Sequence, residues 1–238
     1  MSLESAPATF RNPGPRLPTV DLYGPVHKGL RWALTTLLTR MGAADFTDAA
    51  SSARLLDDLD GVLYLVSSHI EHEDRHIHPA IERKVPDASA RLTEEHRQHE
   101  REIQDLRVLI AQLAGAPSSG ATAIGRRLYL TFSRFVANSL VHMLEEETIT
   151  EPLLEALYTA EELVQIHDAL LASIGPDEML AFTRVMVPAN AREVRVALLA
   201  GAQGAMPSQP FALLLQSLRP HLEDADWSHL TARLGVAA

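Results

Sequence analysis

The sequence contains no cysteine among its 238 residues. This absence excludes disulfide bonds, iron–sulfur clusters and thiolate metal sites, so any metal ion would have to be held by histidine, aspartate or glutamate. Long apolar runs are absent as well, because no stretch approaches the roughly 20 residues that a membrane-spanning helix needs. The sequence therefore predicts a soluble protein with no membrane partner.

Basic side chains are too few to balance the acidic ones. The chain carries 21 lysines and arginines against 31 aspartates and glutamates, for a net charge of −10. Since no basic stripe offsets this charge, nucleic acid is excluded as a partner. Residues 1–18 are polar and proline-rich and lack the apolar core of a signal peptide, so we interpret them as a flexible N-terminal segment of a cytoplasmic protein.

Strand patterns are nearly absent, and apolar residues recur at steps of three and four along most of the chain. This pattern predicts an all-α protein with long helices over about 19–41, 48–84, 87–115 and 121–150. Four such helices with short connections are typical of an up-down four-helix bundle, which we place at residues 19–155. Residues 156–238 have shorter, proline-punctuated helices and are predicted to form a helical C-terminal extension, either packed on the bundle or as a separate lobe.

The core-facing stripe of each long helix is apolar except at a few positions. Those positions are His27; His69 and Glu73; His96 and His99; and His142 and Glu146. In the fourth helix the core-facing stripe is predicted to continue to the apolar residue Ile149. The spacing His69-x3-Glu73-x5-Pro79 recurs as His142-x3-Glu146-x5-Pro152, which indicates two equivalent halves, each ended by a proline. Spacing i,i+4 places a histidine and a glutamate on one helix face.

Buried glutamates need a physical cause. A buried carboxylate without a partner costs several kcal/mol, and two of them in one bundle repel each other. A pair of metal cations between the carboxylates removes both problems, since the carboxylates would bridge the ions and the imidazoles would fill terminal positions. The four stripes together therefore predict a two-metal site.

Four short motifs resemble the hemerythrin-like, or HHE cation-binding, family. They are Pro25-Val-His27, His69-Ile-Glu-His-Glu73-Asp, Glu94-Glu-His96-Arg and His142-Met-Leu-Glu-Glu146. The resemblance implies two iron ions joined by an oxo or hydroxo group, with zinc or manganese as other metals that such a shell accepts. It also implies that His27 and His69 bind one iron, that His96 and His142 bind the other, and that Glu73 and Glu146 bridge them.

Two departures from the family pattern leave alternatives open. Hemerythrin has a second helix-three histidine four residues after the first, and that position is Glu100 here, while His99 lies three residues after. Either side chain, or water, would complete the shell. The hemerythrin spacing in the fourth helix would favour Glu147 as the bridge, whereas the internal repeat favours Glu146.

The resemblance implies binding of O2 or a related small diatomic, for sensing, storage or carriage. The alternatives are a di-iron oxidase, peroxidase or nitric-oxide-handling enzyme, for which peroxide is a further ligand, and an iron-handling or regulatory module. In the last case the extension offers a surface for a protein partner or a second copy. We expect Leu30, Trp32, Phe132 and Phe135 to wall the open coordination position, and His72, His76 and His78 to lie beside the site without binding metal.

Overall fold

A computed structural model describes residues 20–236 of the chain, and over this range the protein is helical without strands. The predicted flexible segment lies outside the described residues. The helices of the bundle are α1 (Gly24–Gly42), α2 (Ala49–His76), α3 (His78–Lys84), α4 (Ala90–Ala114), α5 (Ser118–Glu145) and α6 (Glu151–Leu157). The helices that follow are α7 (Ala160–Ser173), α8 (Pro176–Ala189), α9 (Arg192–Ala205), α10 (Ser208–Leu218) and α11 (Asp224–Leu234).

The four long helices form the predicted up-down bundle. Each of α1, α2, α4 and α5 packs against its two neighbours, in the circular order α1, α2, α4, α5. The bundle core contains the predicted apolar stripe positions, with Leu34, Leu59, Leu106 and Leu128 fully buried. The side chain of Asp48 accepts hydrogen bonds from the first backbone N–H groups of α2 and so sets where that helix begins. The prediction of an all-helical bundle is confirmed.

The spacing predicts that the two prolines of the internal repeat end their helices, and this prediction is wrong. Pro79 and Pro152 lie in the first turns of α3 and α6, where a missing N–H is tolerated, so the chain stays helical beyond each proline. The break before α3 is a single residue, Ile77. Before α6 the residues Glu146–Thr150 form a π-helical turn, which has more residues per turn than an α-helix.

The π-helical turn changes which residues face the core. The predicted stripe position Ile149 is 44% exposed, while Thr150 and Glu151 are buried. The prediction for Ile149 was wrong because the wider turn rotates the following residues relative to α-helical spacing. Glu146, at the start of this turn, remains fully buried.

The C-terminal helices pack on one side of the bundle. Helix α7 contacts α2, and α8 lies along α1. Phe182 and Met186 of α8 belong to the same apolar core as the bundle helices, while Val187 joins a second core built by α9, α10 and α11. The side chain of Asn190 donates a hydrogen bond to the backbone oxygen of Pro25 at 2.9 Å. Helix α8 therefore connects the two cores.

No helix within residues 20–236 combines the length and apolar character needed to cross a bilayer.

The close packing of α8 on α1 depends on Gly29. A Cβ atom at this position would lie 3.0 Å from the backbone nitrogen of Met186 and 3.1 Å from its Cα. We predict that Gly29→Leu lowers the free energy of unfolding by about 1–3 kcal/mol, because the added side chain forces the two helices apart. Urea denaturation followed by circular dichroism measures this change.

The matched control is Gly61→Leu in α2, where an added Cβ meets nothing within 4 Å. This variant is expected to raise the free energy of unfolding by about 0.5–1 kcal/mol through helix propensity. Equal effects of the two substitutions would contradict the role assigned to Gly29.

Candidate metal centre

Four histidines and two glutamates from four helices meet in the middle of the bundle. Their ligand atoms form two groups of four, within each of which all atoms lie within 4.8 Å of one another. One group is His27, His69, Glu73 and Glu146, and the other is His96, His142, Glu73 and Glu146. All six residues are buried. Both glutamates are shared, so each group has two imidazoles and two carboxylates.

Each shared carboxylate presents one oxygen to each histidine pair. In Glu73, Oε1 lies 3.1 Å from the Nε2 atom of His69, and Oε2 lies 3.4 Å from that of His96. In Glu146, Oε1 lies 3.1 Å from Nε2 of His142, and Oε2 lies 3.4 Å from that of His27. This arrangement of oxygens is the one that bridging carboxylates between two metal ions require.

The polar atoms at the centre are not satisfied by the protein itself. The four carboxylate oxygens of Glu73 and Glu146 are buried and have no hydrogen bond of normal geometry. The Nε2 atoms of His27 and His69 lie 3.1 Å apart, and those of His96 and His142 lie 2.9 Å apart. Buried carboxylate oxygens without hydrogen bonds are unfavourable unless positive charge lies beside them, and the eight atoms converge on the space that two cations would occupy. The residues present therefore fit a pair of metal ions.

Three of the four histidines are oriented by carboxylates through their other ring nitrogen. The Nδ1–H group of His27 donates to Glu147 at 3.0 Å, that of His96 to Asp74 at 2.8 Å, and that of His142 to Glu95 at 2.9 Å. Such bonds fix the ring so that Nε2 faces the metal position and make that nitrogen a stronger ligand. Glu147 therefore holds His27 in place and lies outside both groups.

The orienting carboxylates repeat along with the ligands. Asp74 follows Glu73, and Glu147 follows Glu146, and each of them bonds a histidine from another helix. A basic side chain supports each carboxylate: Arg31 lies 2.5 Å from Glu147, and His78 lies 2.9 Å from Asp74. The sequence reasoning missed Asp74 and Glu95, although each is adjacent in sequence to a predicted ligand, Glu73 and His96 respectively.

The carboxylates and imidazoles at the centre shift one another's pKa values. Burial opposes protonation of His27, but the neighbouring Glu147 and Glu73 raise its pKa to about 9. Burial lowers the pKa of its partner His69 to about 4. Burial favours the neutral form of Glu73, yet the surrounding imidazoles hold its pKa well below the usual range. A metal ion that binds Nε2 of His27 would therefore have to displace a proton.

The two candidates for a further ligand in α4 are placed very differently. Glu100 is exposed on the outer face of the helix and lies outside both groups, so it cannot complete the shell as considered from the sequence. His99 is buried, with its ring centre 5.0 Å from that of His142 and 5.9 Å from that of Phe135. It lies beside the second group without belonging to it.

The remaining predicted neighbours of the site are only partly where we expected them. Leu30, Phe132 and Phe135 are fully buried in the bundle core. Trp32 is not a wall of the site, because its ring packs edge-on against His221 beyond α10, at 5.2 Å. This contact depends on the C-terminal helices, whose position the helical periodicity of α1 does not encode. His72 and His78 are buried beside the centre and outside its two groups of four.

Comparison with known proteins identifies the first part of the chain. A family model described as the hemerythrin HHE cation-binding domain matches residues 20–154. No curated protein and no solved structure matches the chain. The matched range holds α1 to α5 and ends within α6, so all residues of both groups lie inside it and α7 to α11 lie outside.

Glu151 is a buried acid next to the centre whose charge should lower stability. Its Oε1 atom accepts a hydrogen bond from the backbone N–H of Leu22 at 3.1 Å. Burial, with nearby Asp21 and Glu155, raises its pKa from 4.5 to about 7. Between these values the folded state binds the proton more than the unfolded state, so the free energy of unfolding falls as pH rises.

We predict that Glu151→Gln, which keeps the acceptor oxygen, removes this pH dependence in the metal-free protein. The variant should match the wild type near pH 4.5 and be more stable by about 1–2 kcal/mol at pH 8. Urea unfolding across this range gives the difference, with the exposed Glu161→Gln as control. A difference between Glu151→Gln and wild type that does not change with pH would refute the assignment.

Proposed function

The chain belongs to the hemerythrin HHE cation-binding family, and from this premise we propose that it is a non-haem di-iron protein that binds O2 or a related small diatomic, as a sensor, store or carrier. One observation carries the proposal, namely the two buried groups of histidines that share Glu73 and Glu146. Iron, when bound, would supply the redox chemistry by which a diatomic is held. The protein supplies the ligands, their orientation and a dry interior.

We assign His27 and His69 to one metal ion and His96 and His142 to the other, with Glu73 and Glu146 bridging. The charge of the site supports this assignment. Two carboxylates and four neutral imidazoles carry two negative charges in a core that excludes water, and two divalent cations more than offset them. The i,i+4 spacing in α2 and α5 brings each histidine within 3.1 Å of the glutamate on its own helix, which preorganises both halves.

The donor set favours iron. Two imidazoles with carboxylate oxygens, leaving positions open, form the type of shell that suits non-haem Fe(II), although zinc and manganese accept the same donors. Four protein donors for each ion leave room for a small ligand. We keep His99 as the candidate for an additional ligand of the second ion, because both of its ring nitrogens are buried without a hydrogen bond in the described part of the chain.

A second candidate function is a di-iron oxidase or peroxidase that acts on an organic substrate. The exposed position of Glu100 removes the argument that an extra carboxylate would favour such an enzyme. One other observation supports the enzyme: His69 and Glu73 line a cavity that is much larger than a diatomic ligand requires. Protein that consumes peroxide or oxygen in repeated turnovers would favour this candidate over a binder.

We predict about two iron ions in each chain of anaerobically purified protein, with charge-transfer bands of a ferric pair appearing on exposure to oxygen. Metal analysis and an optical spectrum measure both. Bands that reverse on deoxygenation support a carrier or sensor, while irreversible oxidation supports the enzyme. Zinc, or one metal ion or fewer per chain without such bands, would contradict the di-iron proposal.

The same measurement on two variants tests the bridging role. Glu73→Gln should bind one metal ion or fewer, because an amide oxygen cannot neutralise and bridge two cations. The matched control is Glu102→Gln, since Glu102 is also a buried glutamate of the bundle but lies outside both groups and accepts a hydrogen bond from Asn138. This control should retain two ions.

The orienting carboxylates should matter for metal affinity and little for the fold. We predict that Asp74→Asn and Glu147→Gln each weaken metal binding by about 10–100-fold, because His96 and His27 lose the acceptor that aligns and polarises them. Competition with a chelator of known affinity measures the loss. Glu71→Gln, at an exposed position of α2, is the control, and an equal loss in this control would contradict the prediction.

A further inference from the structure

A cavity of about 440 Å³ lies between the bundle and the C-terminal helices. Residues at the start of α1 and from α2, α7, α8 and α9 line it. His69 and Glu73 are among the lining residues, so the cavity borders one of the two candidate metal positions. Most of its wall is apolar, including Met179, Phe182 and Leu198.

The size of the cavity sets the class of molecule that it can hold. A water molecule occupies roughly 30 Å³ of liquid, and an apolar cavity of about 150 Å³ holds benzene. At about 440 Å³ the cavity is roughly three times the size of the benzene site, and it falls in the range of pockets that bind small organic ligands. A diatomic needs only a small part of this space. The cavity therefore fits an organic molecule of roughly ten to twenty non-hydrogen atoms.

The charge of the lining argues against an anionic ligand. Asp21 and Glu73 line the cavity, and among the described residues that line it there is no lysine or arginine. His72 also lines it, but its ring nitrogens already contact Glu178 at 2.7 Å and Ser173 at 3.1 Å. His167 lines it too, and its Nδ1 atom lies 3.6 Å from Asp168. In the metal-free protein a carboxylate or phosphate would therefore lose its hydration in this apolar cavity without gaining a lysine or arginine partner, which is unfavourable. The lining thus favours a neutral, predominantly apolar molecule.

The C-terminal helices keep the space open in two ways. Helix α9 lines the cavity with small residues, Ala197, Gly201 and Ala205, one turn apart. A Cβ added at Gly201 would meet nothing within 4 Å. Beside the cavity, Glu178 of α8 accepts hydrogen bonds from Ser68 and from the lining residue His72 of α2. These polar contacts hold α8 on the bundle, while the small residues leave the remaining volume free.

We propose that this cavity binds a neutral, predominantly apolar organic molecule with one end beside the His69–Glu73 side of the metal centre. The role of that molecule as a substrate or effector of the centre rests on the proposed function. Its binding rests only on the volume, lining and position of the cavity. The metal-binding residues belong to the matched family range, whereas three of the helices that build the cavity, α7, α8 and α9, lie outside it.

The test uses the full chain and the neutral aromatic probe N-phenylnaphthylamine, whose fluorescence rises in apolar surroundings. We expect the wild type to bind one probe per chain, both with and without metal. Gly201→Phe should weaken binding at least tenfold, because the new ring occupies the cavity. Gly204→Phe is the matched control: this position is in the same helix, is also open to an added Cβ, and does not line the cavity. It should bind like the wild type.

Two further readouts test the chemistry and the position of the ligand. In the metal-free protein decanol should displace the probe more effectively than decanoate, since the lining itself offers no lysine or arginine to an anion. Probe binding should change the optical spectrum of the iron-loaded protein, because Glu73 and His69 line the cavity. Light scattering on the same samples checks whether the wild type is a dimer that Gly201→Phe separates.

The outcomes separate the two proposals. If the wild type binds two metal ions but no probe, or if Gly201→Phe and Gly204→Phe bind the probe equally, the cavity inference is overturned and the di-iron proposal stands. If the probe binds but no metal does, the cavity is a ligand site and the di-iron proposal fails. If decanoate displaces the probe as strongly as decanol does, the inference that the ligand is neutral is overturned. If the wild type is a dimer that Gly201→Phe separates, the residues that line the cavity form a subunit interface and not a ligand site.

Discussion

The structure depends on two carboxylates, Glu73 and Glu146, buried in the core of a helix bundle without normal hydrogen bonds. Such groups cost several kcal/mol in an apolar interior unless positive charge lies beside them. The surrounding histidines meet this need in two ways, because they can carry protons or hold metal ions. Carboxylates that accept hydrogen bonds from the Nδ1 atoms of His27, His96 and His142 are then needed as well, since the Nε2 atom of each ring has to face the centre. A single requirement for charge balance thus accounts for the six polar residues at the centre of the bundle and for the three carboxylates that orient its histidines.

The bundle and its six central residues could be predicted from the sequence because they depend on local spacing. Apolar residues at steps of three and four identify the buried face of each helix, and a histidine and a glutamate four residues apart must share a face. The His-x3-Glu spacing occurs in both α2 and α5, and this repeat indicates two equivalent halves of one site, which a single occurrence would not. These features are properties of one helix at a time, so they do not require knowledge of how the helices pack.

What could not be predicted depends on contacts between helices or on departures from α-helical geometry. The π-helical turn at Glu146–Thr150 moved Ile149 to the surface, and no residue type in that turn identifies it. Asp74 and Glu95 orient histidines of other helices, which requires knowing which helices are adjacent. Trp32 is on the expected helix, but the C-terminal helices give it a different neighbour. One of these helices, α8, packs closely on α1 at Gly29, which a sequence pattern shows only as one glycine in a helix.

The proposed metal centre is built by the bundle, and much of the wall of the proposed ligand cavity is built by the C-terminal helices. All residues of the two metal groups come from the bundle, and α7 to α9 build much of the cavity wall without contributing to either group. Substitutions in those helices can therefore reshape the cavity while leaving the charge balance of the centre intact. The link between the two parts is short, because Ser68 and His72, which hold Glu178 of α8, lie on α2 immediately beside His69 and Glu73. A change in how α8 packs on the bundle would consequently reach His69 and Glu73, which we propose as metal ligands, through one turn of α2.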